Sequence, residues 1–330
     1  MQYLLKATVA LVVLVPLAAR AEGQTYLGPV PYTSAADRPA GFLAGSFVLE
    51  DFEDSSLDFG LRSANGVPIG PGTNTDSVDA DDGSVDGFGR NGHSYFSTGE
   101  ALIEFPAPVR EAAVVWTDGP VGTRVEFEAF GPGMVSLGVH GPFQHANGST
   151  LGQTDEDRMY GIQHAGGIVA IRLKSLDGNT TMELDHVQYE SLGTSYCAAN
   201  ANSTTYPGIQ TVVGSSVVAE NELTLVASRL PDSSFGYFLA SRTQGFVPNA
   251  GGSAGNLCLG GTVGRFTAQI FNTGMTGSAA VPVNLSAFPT PTGSVAVQPG
   301  ETWHFQAWHR DSSGGSPTSN FTDAVSVAFS

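Results

Sequence analysis

Val125-Glu126-Phe127-Glu128-Ala129-Phe130 alternates apolar and charged residues one by one as far as Ala129. Successive side chains of a strand point to opposite faces. Val125, Phe127 and Ala129 therefore share one face, and Glu126 and Glu128 share the other. This is the pattern of an antiparallel strand with one face buried and one solvated. No stretch of useful length shows the three-to-four residue period of a helix, apart from one short turn near 154–160.

Working outward, strand-like runs recur at 47–52, 101–105, 112–117, 135–139, 168–173 and 182–189. They continue at 209–213, 222–228, 235–240, 264–271, 280–285, 294–297, 302–309 and 324–329, and turns rich in Gly, Pro, Asn and Ser separate them. Short strands spaced in this way predict sandwiches or barrels. The expected fold is all-β, with two jelly-roll-like β-sandwich domains in tandem. The boundary falls in the short polar stretch 190–195, giving domains of 22–190 and 191–330. A link this short keeps the two in contact.

Ahead of them, Lys6 precedes an apolar run from Ala7 to Ala19, and Ala19-Arg20-Ala21 has the small-x-small pattern of a cleavage site. Residues 1–21 read as a signal peptide. The run is too short for a membrane span, so the expected destination is secretion or the cell surface. An exported chain with two cysteines most simply pairs them, which makes Cys197–Cys258 the expected disulfide.

Charge is unevenly spread. Residues 22–190 carry 25 Asp/Glu against 8 Lys/Arg, whereas 191–330 carry 6 against 4. Such an acidic surface repels phosphate backbones and argues against nucleic-acid binding. It suits divalent cations. The densest run, Asp76-Ser77-Val78-Asp79-Ala80-Asp81-Asp82-Gly83, lacks EF-hand spacing but supplies oxygen ligands in Asp76, Asp79, Asp81 and Asp82.

Catalytic motifs are incomplete. His93, His140, His145, His164, His186, His304 and His309 form no HExxH pair, and there is neither a CxxC nor a nucleophile elbow. Asp155-Glu156-Asp157-Arg158 offers paired carboxylates for glycoside chemistry, although Asp157 beside Arg158 reads more simply as an ion pair. On the strand 303–310, alternation sets Trp303, Phe305 and Ala307 towards a core. It leaves Trp308, Gln306 and Arg310 on the other face, as a candidate aromatic and polar surface for a sugar.

Two resemblances extend this reading. Thr75–Gly83, Gly92-His93-Ser94-Tyr95-Phe96, Val115-Trp116-Thr117-Asp118-Gly119 and Glu183-Leu184-Asp185-His186-Val187-Gln188-Tyr189 resemble an exported bacterial domain of PEP-CTERM-type proteins, a galactose-binding-like jelly roll covering 26–190. That resemblance implies a structural calcium held between an early acid, Glu53 or Asp54, and Asp185 on the last strand. The family's Pro-Glu-Pro sorting tail is not found, so anchoring by that route is not expected. Tyr196-Cys197, Leu257-Cys258-Leu259-Gly260-Gly261 and Trp303-His304-Phe305-Gln306-Ala307-Trp308 resemble a C-terminal module of secreted planctomycete and myxobacterial proteins, covering 195–330. The cysteines lie in its two motifs.

The resulting expectation is an exported, non-catalytic binding or structural protein with a calcium ion in the first domain, recognising extracellular polysaccharide or matrix. A secreted glycan-active hydrolase and a surface-layer or filament component are the alternatives.

Overall fold

A computed structural model describes residues 23–72, 75–79, 84–149 and 152–330. The signal-peptide reading of 1–21 lies outside them. The regular structure of the described chain is almost entirely antiparallel strand, with 3-10 turns as its helical elements. The all-β expectation is therefore met.

The first half is a ten-stranded sheet. Its framework is a pair of very long strands, Glu100–Asp118 and Arg158–Ser175. They pair over 100–104 with 170–174, and again over 111–116 with 158–163, with irregular register around Val109. Pro106 and Pro108 remove two ladder donors at this irregularity. Beyond one end Arg124–Gly131 adds to Arg158–Ser175; beyond the other, Thr181–Glu190 adds to Glu100–Asp118. One continuous sheet thus folds over on itself. The runs read as separate strands at 101–105 and 112–117 are two arms of a single bent strand.

Between the arms lie Trp116, Phe127, Tyr160, Ile162, Leu184, Val187 and Tyr189, all essentially without solvent exposure. In the deciding stretch Val125, Phe127 and Ala129 face this core as expected. Glu128 is buried as well, because it pairs with Arg172 and accepts from the Ser136 hydroxyl.

The second half packs a seven-stranded sheet, centred on Thr302–Ser313 and Phe235–Ser241, over a three-stranded one. The smaller sheet is Ile209–Gly214, Leu223–Ser228 and Ala279–Val283. Phe288 is the hub of the core between them, meeting Phe266, Trp303, Phe305 and Phe329 edge-on. Cys197 and Cys258 form the expected disulfide, with Cα atoms 6.3 Å apart.

The halves share apolar interior. Every residue of Leu223–Ser228 is buried. Leu223, Leu225 and Ala227 enter the core of the second half, while Val226, one step out of phase, joins that of the first together with Val213. At the rim, Arg110 meets Glu220 at 2.9 Å, and Arg229 reaches across to Asp51, Asp54 and Asp58.

Candidate metal centre

The acidic segment read as a source of oxygen ligands is buried where it is described: Asp76 is 0% exposed and Asp79 4%. It lies along the last strand of the first half, Thr181–Glu190, held by side chains instead of a backbone ladder. The Asp76 amide donates to Glu183 Oε2 at 2.9 Å, the Val78 amide to Asp185 Oδ2 at 2.8 Å, and Asp79 Oδ2 meets His186 Nε2 at 3.1 Å. The sequence offset is 107 at each contact, so the segment tracks the strand residue for residue.

Consecutive strand residues ordinarily face opposite ways, which would keep Asp185 and His186 apart. A bulge overrides this. Asp185 is opposite Val115 and Gln188 opposite Ala113, so two residues of the last strand are spanned by one of its neighbour. His186 takes φ 45°, a left-handed conformation that costs a non-glycine residue stability. Bulges of this kind re-aim side chains. Here both Asp185 and His186 turn towards Asp79, and one ligand atom from each of the three lies within 4.8 Å of the others. All three are buried, at 4%, 0% and 2% exposure for Asp79, Asp185 and His186.

Two carboxylates and an imidazole are crowded together here out of water. Asp185 already accepts from the Val78 and His186 amides. Burial nevertheless raises its pKa well above the carboxylate range, and the charge of Asp79 raises it further. Asp79 Oδ1 and His186 Nδ1 find no partner among the described residues. Buried polar atoms are ordinarily satisfied, so such orphans call for an unseen partner. The cluster can hold a metal ion.

Glu53 and Asp54, expected opposite Asp185, stand elsewhere. The early strand ends at Glu50, and Phe52 turns the chain with φ 57°. Glu53 then faces His93, accepting from its amide at 2.8 Å and meeting its Nδ1 at 3.0 Å. Asp54 faces Arg229 at 3.4 Å. The calcium pair implied by the family resemblance is not assembled. Asp81 and Asp82 lie outside the described residues.

Two other expectations are corrected. Arg158 does not pair with the Asp157 carboxylate; its guanidinium donates to the main-chain oxygens of Asp155 and Asp157. Glu156 and Asp157 are 1% and 0% exposed, which leaves no room for a sugar between them. Gln306 is wholly buried and is no ligand-binding residue. It accepts from the Cys258 amide and donates to the carbonyls of Asn256 and Thr322, so it braces the disulfide strand. Trp308 is half-buried and stacks on Tyr237 with ring centres 5.0 Å apart, while Arg310 is exposed beside it.

Sequence reasoning placed Asp79 and Asp185 in metal sites but missed His186. Its neighbour Asp185 was the only local signal, and without the bulge the two would diverge.

No family model matches the chain, and no curated protein matches it. Among solved structures, a β-glucuronidase from Parabacteroides merdae with glycerol in its active site aligns at 10% identity and a TM-score of 0.15. The alignment covers 92% of this chain and 34% of that one, so the chain spans about a third of that enzyme's length. A likeness at this level carries no argument.

Proposed function

We propose that the chain is an exported, non-catalytic binding or structural protein whose first half is organised around a buried metal ion. The burial of Asp79, Asp185 and His186 carries this reading. A catalytic metal keeps a position open to water and substrate, whereas a structural one is closed off. An imidazole with two carboxylates suits a borderline ion such as zinc better than calcium, which takes oxygen ligands. The ion would tie the acidic segment to the last strand, with no part in a reaction. Export is supported by the Cys197–Cys258 disulfide and by the signal-like leader.

Within this reading, polysaccharide is the ligand suggested by the Tyr237–Trp308 stack with exposed Arg310 at its edge. Aromatic faces of this kind pack against the apolar face of a sugar.

Elemental analysis of the purified chain tests the metal. About one equivalent of a transition metal is expected, lost together with thermal stability on chelation and absent in His186→Ala. A metal-free chain whose melting ignores both zinc and chelator overturns the reading. Turnover of a glycan panel by the metal-loaded protein would overturn its non-catalytic part.

A further inference from the structure

A polar cavity of about 290 Å³ opens where the two halves meet. Asp54, Ser56 and Asp58 of the first half form one wall. Thr204, Tyr206, Arg229 and Asp232 of the second half line the other. Small-molecule pockets favour such junctions. This one lies at the lower limit of about 300 Å³ for them, which leaves room for about one ring. Neither half could form it alone.

Buried Asn202 sets the second wall. Its Oδ1 accepts from the Thr204 amide at 2.8 Å and the Thr204 hydroxyl at 2.7 Å, and its Nδ2 donates to the Arg229 carbonyl at 2.7 Å. Its own amide donates to the Tyr206 carbonyl at 2.9 Å. The Tyr206 loop is thereby tied to the main chain of Arg229, and the guanidinium lies 5.8 Å from the centre of the Tyr206 ring. Across the cavity, Asp54 Oδ1 accepts from the Ser56 amide at 3.0 Å, while its Oδ2 lies 3.4 Å from Arg229 Nε. Ser55, Thr205, Arg229 and Ser233 take φ values of 64°, 77°, 56° and 53°, and each is a lining residue or adjoins one. Left-handed backbone of this kind costs stability and persists where its surroundings over-determine it.

The fixed walls keep unused capacity. Arg229 spends Nε on Asp58 at 3.1 Å, and its two outer nitrogens make no hydrogen bond among the described residues. Asp232 is exposed and pairs with none of them. Tyr206 is 44% exposed, so much of its ring is open. Charge then narrows the occupant. An anion would reach the guanidinium only past Asp54, Asp58 and Asp232, and a cation would meet the guanidinium itself. A neutral polyol avoids both, because a hydroxyl donates as readily as it accepts.

We propose that this cavity binds one neutral pyranose unit of a polysaccharide. Tyr206 packs against the C–H face of the sugar, the outer nitrogens of Arg229 donate to its hydroxyl oxygens, and Asp54 and Asp232 accept from its hydroxyls. The proposal rests on the polysaccharide reading above and gives that ligand a site on residues separate from the Tyr237–Trp308 stack. It does not depend on the Asp79 site being occupied.

Native electrophoresis of the full chain through gels carrying glucan, mannan, galactan or xylan tests it, followed by calorimetric titration with a short fragment of whichever polymer retards the chain. Tyr206→Ala should weaken fragment binding roughly tenfold, and Tyr206→Phe, which keeps the ring, should restore it. Asp232→Ala should also weaken binding roughly tenfold. Tyr206 and Asp232 are exposed, so both variants should unfold at nearly the native urea midpoint. Binding that survives Tyr206→Ala and Asp232→Ala but falls in Trp308→Ala overturns the pocket and leaves the polysaccharide reading standing. Binding confined to uronic-acid or amino-sugar polymers overturns the neutral class. Failure to bind any of these polymers overturns the pocket and the polysaccharide reading together.

Discussion

Arg229→Met should unfasten the two halves, by an amount the structure lets one work out. The Arg229 guanidinium sits 3.1 Å from Asp58, 3.4 Å from Asp54 and 4.0 Å from Asp51, with its plane against Phe59 and Tyr206. Asp58 is 2% exposed. Removing one partner of a fully buried pair costs about 3–5 kcal/mol. The Arg229 side chain is 22% exposed, so water relieves part of the loss, and about 2–3 kcal/mol is expected at pH 8. The penalty must also depend on pH. Burial, then Asp54, raises Asp58 to about 7 even against the pull of Arg229. Buried Glu50, which accepts from the Asp58 amide, faces the same corner. Between the ordinary value of 3.8 and about 7, the folded chain keeps a proton that the unfolded chain has released, so this group's contribution falls as pH rises through that window. Without Arg229 the Asp58 carboxylate is harder still to charge. The penalty should therefore be clearly smaller at pH 5 than at pH 8. Urea unfolding followed by tryptophan fluorescence reads both quantities. A variant within about 0.5 kcal/mol of the native chain at pH 8, or one equally destabilised at both pH values, would refute the reasoning.

Reducing Cys197–Cys258, or replacing both with Ser, opens a loop with 61-residue separation and should cost up to about 4 kcal/mol, measured by denaturation with and without reductant. Phe288→Ala leaves four aromatic rings facing a void and should cost about 3–5 kcal/mol by the same assay. Trp308→Ala removes a half-buried ring from Tyr237 and should cost about 1–2 kcal/mol. If that stack is the sugar platform, retention on polysaccharide affinity gels should also drop. Asp79→Asn should lower zinc uptake in a direct binding titration.

Much of the fold could be read locally, because a strand announces itself through its own side chains. The runs at 209–213, 222–228 and 235–240 match strands to within a residue. The bend in Glu100–Asp118 could not be read, since prolines at 106 and 108 look like an ending and only pairing with Arg158–Ser175 shows that the strand continues. The metal centre was half legible. Asp79 and Asp185 drew notice as acids in an acidic chain, but what unites them is an alignment across 107 residues and a bulge at His186. Neither leaves a local mark. Asp157 was misjudged for a related reason. Adjacency to Arg158 suggests a pair, yet that arginine reaches for carbonyl oxygens.

The strand Leu223–Ser228 has a consequence for how this chain can be divided. It lends alternate residues to two interiors, so the polar stretch at 190–195 is a joint in the sequence without being a joint in cohesion. A gene fusion cut there would carry away Val213 and Val226, the lining of the first half's interior, and leave its wall open. Calorimetry of the whole chain would then record one concerted melting event instead of two.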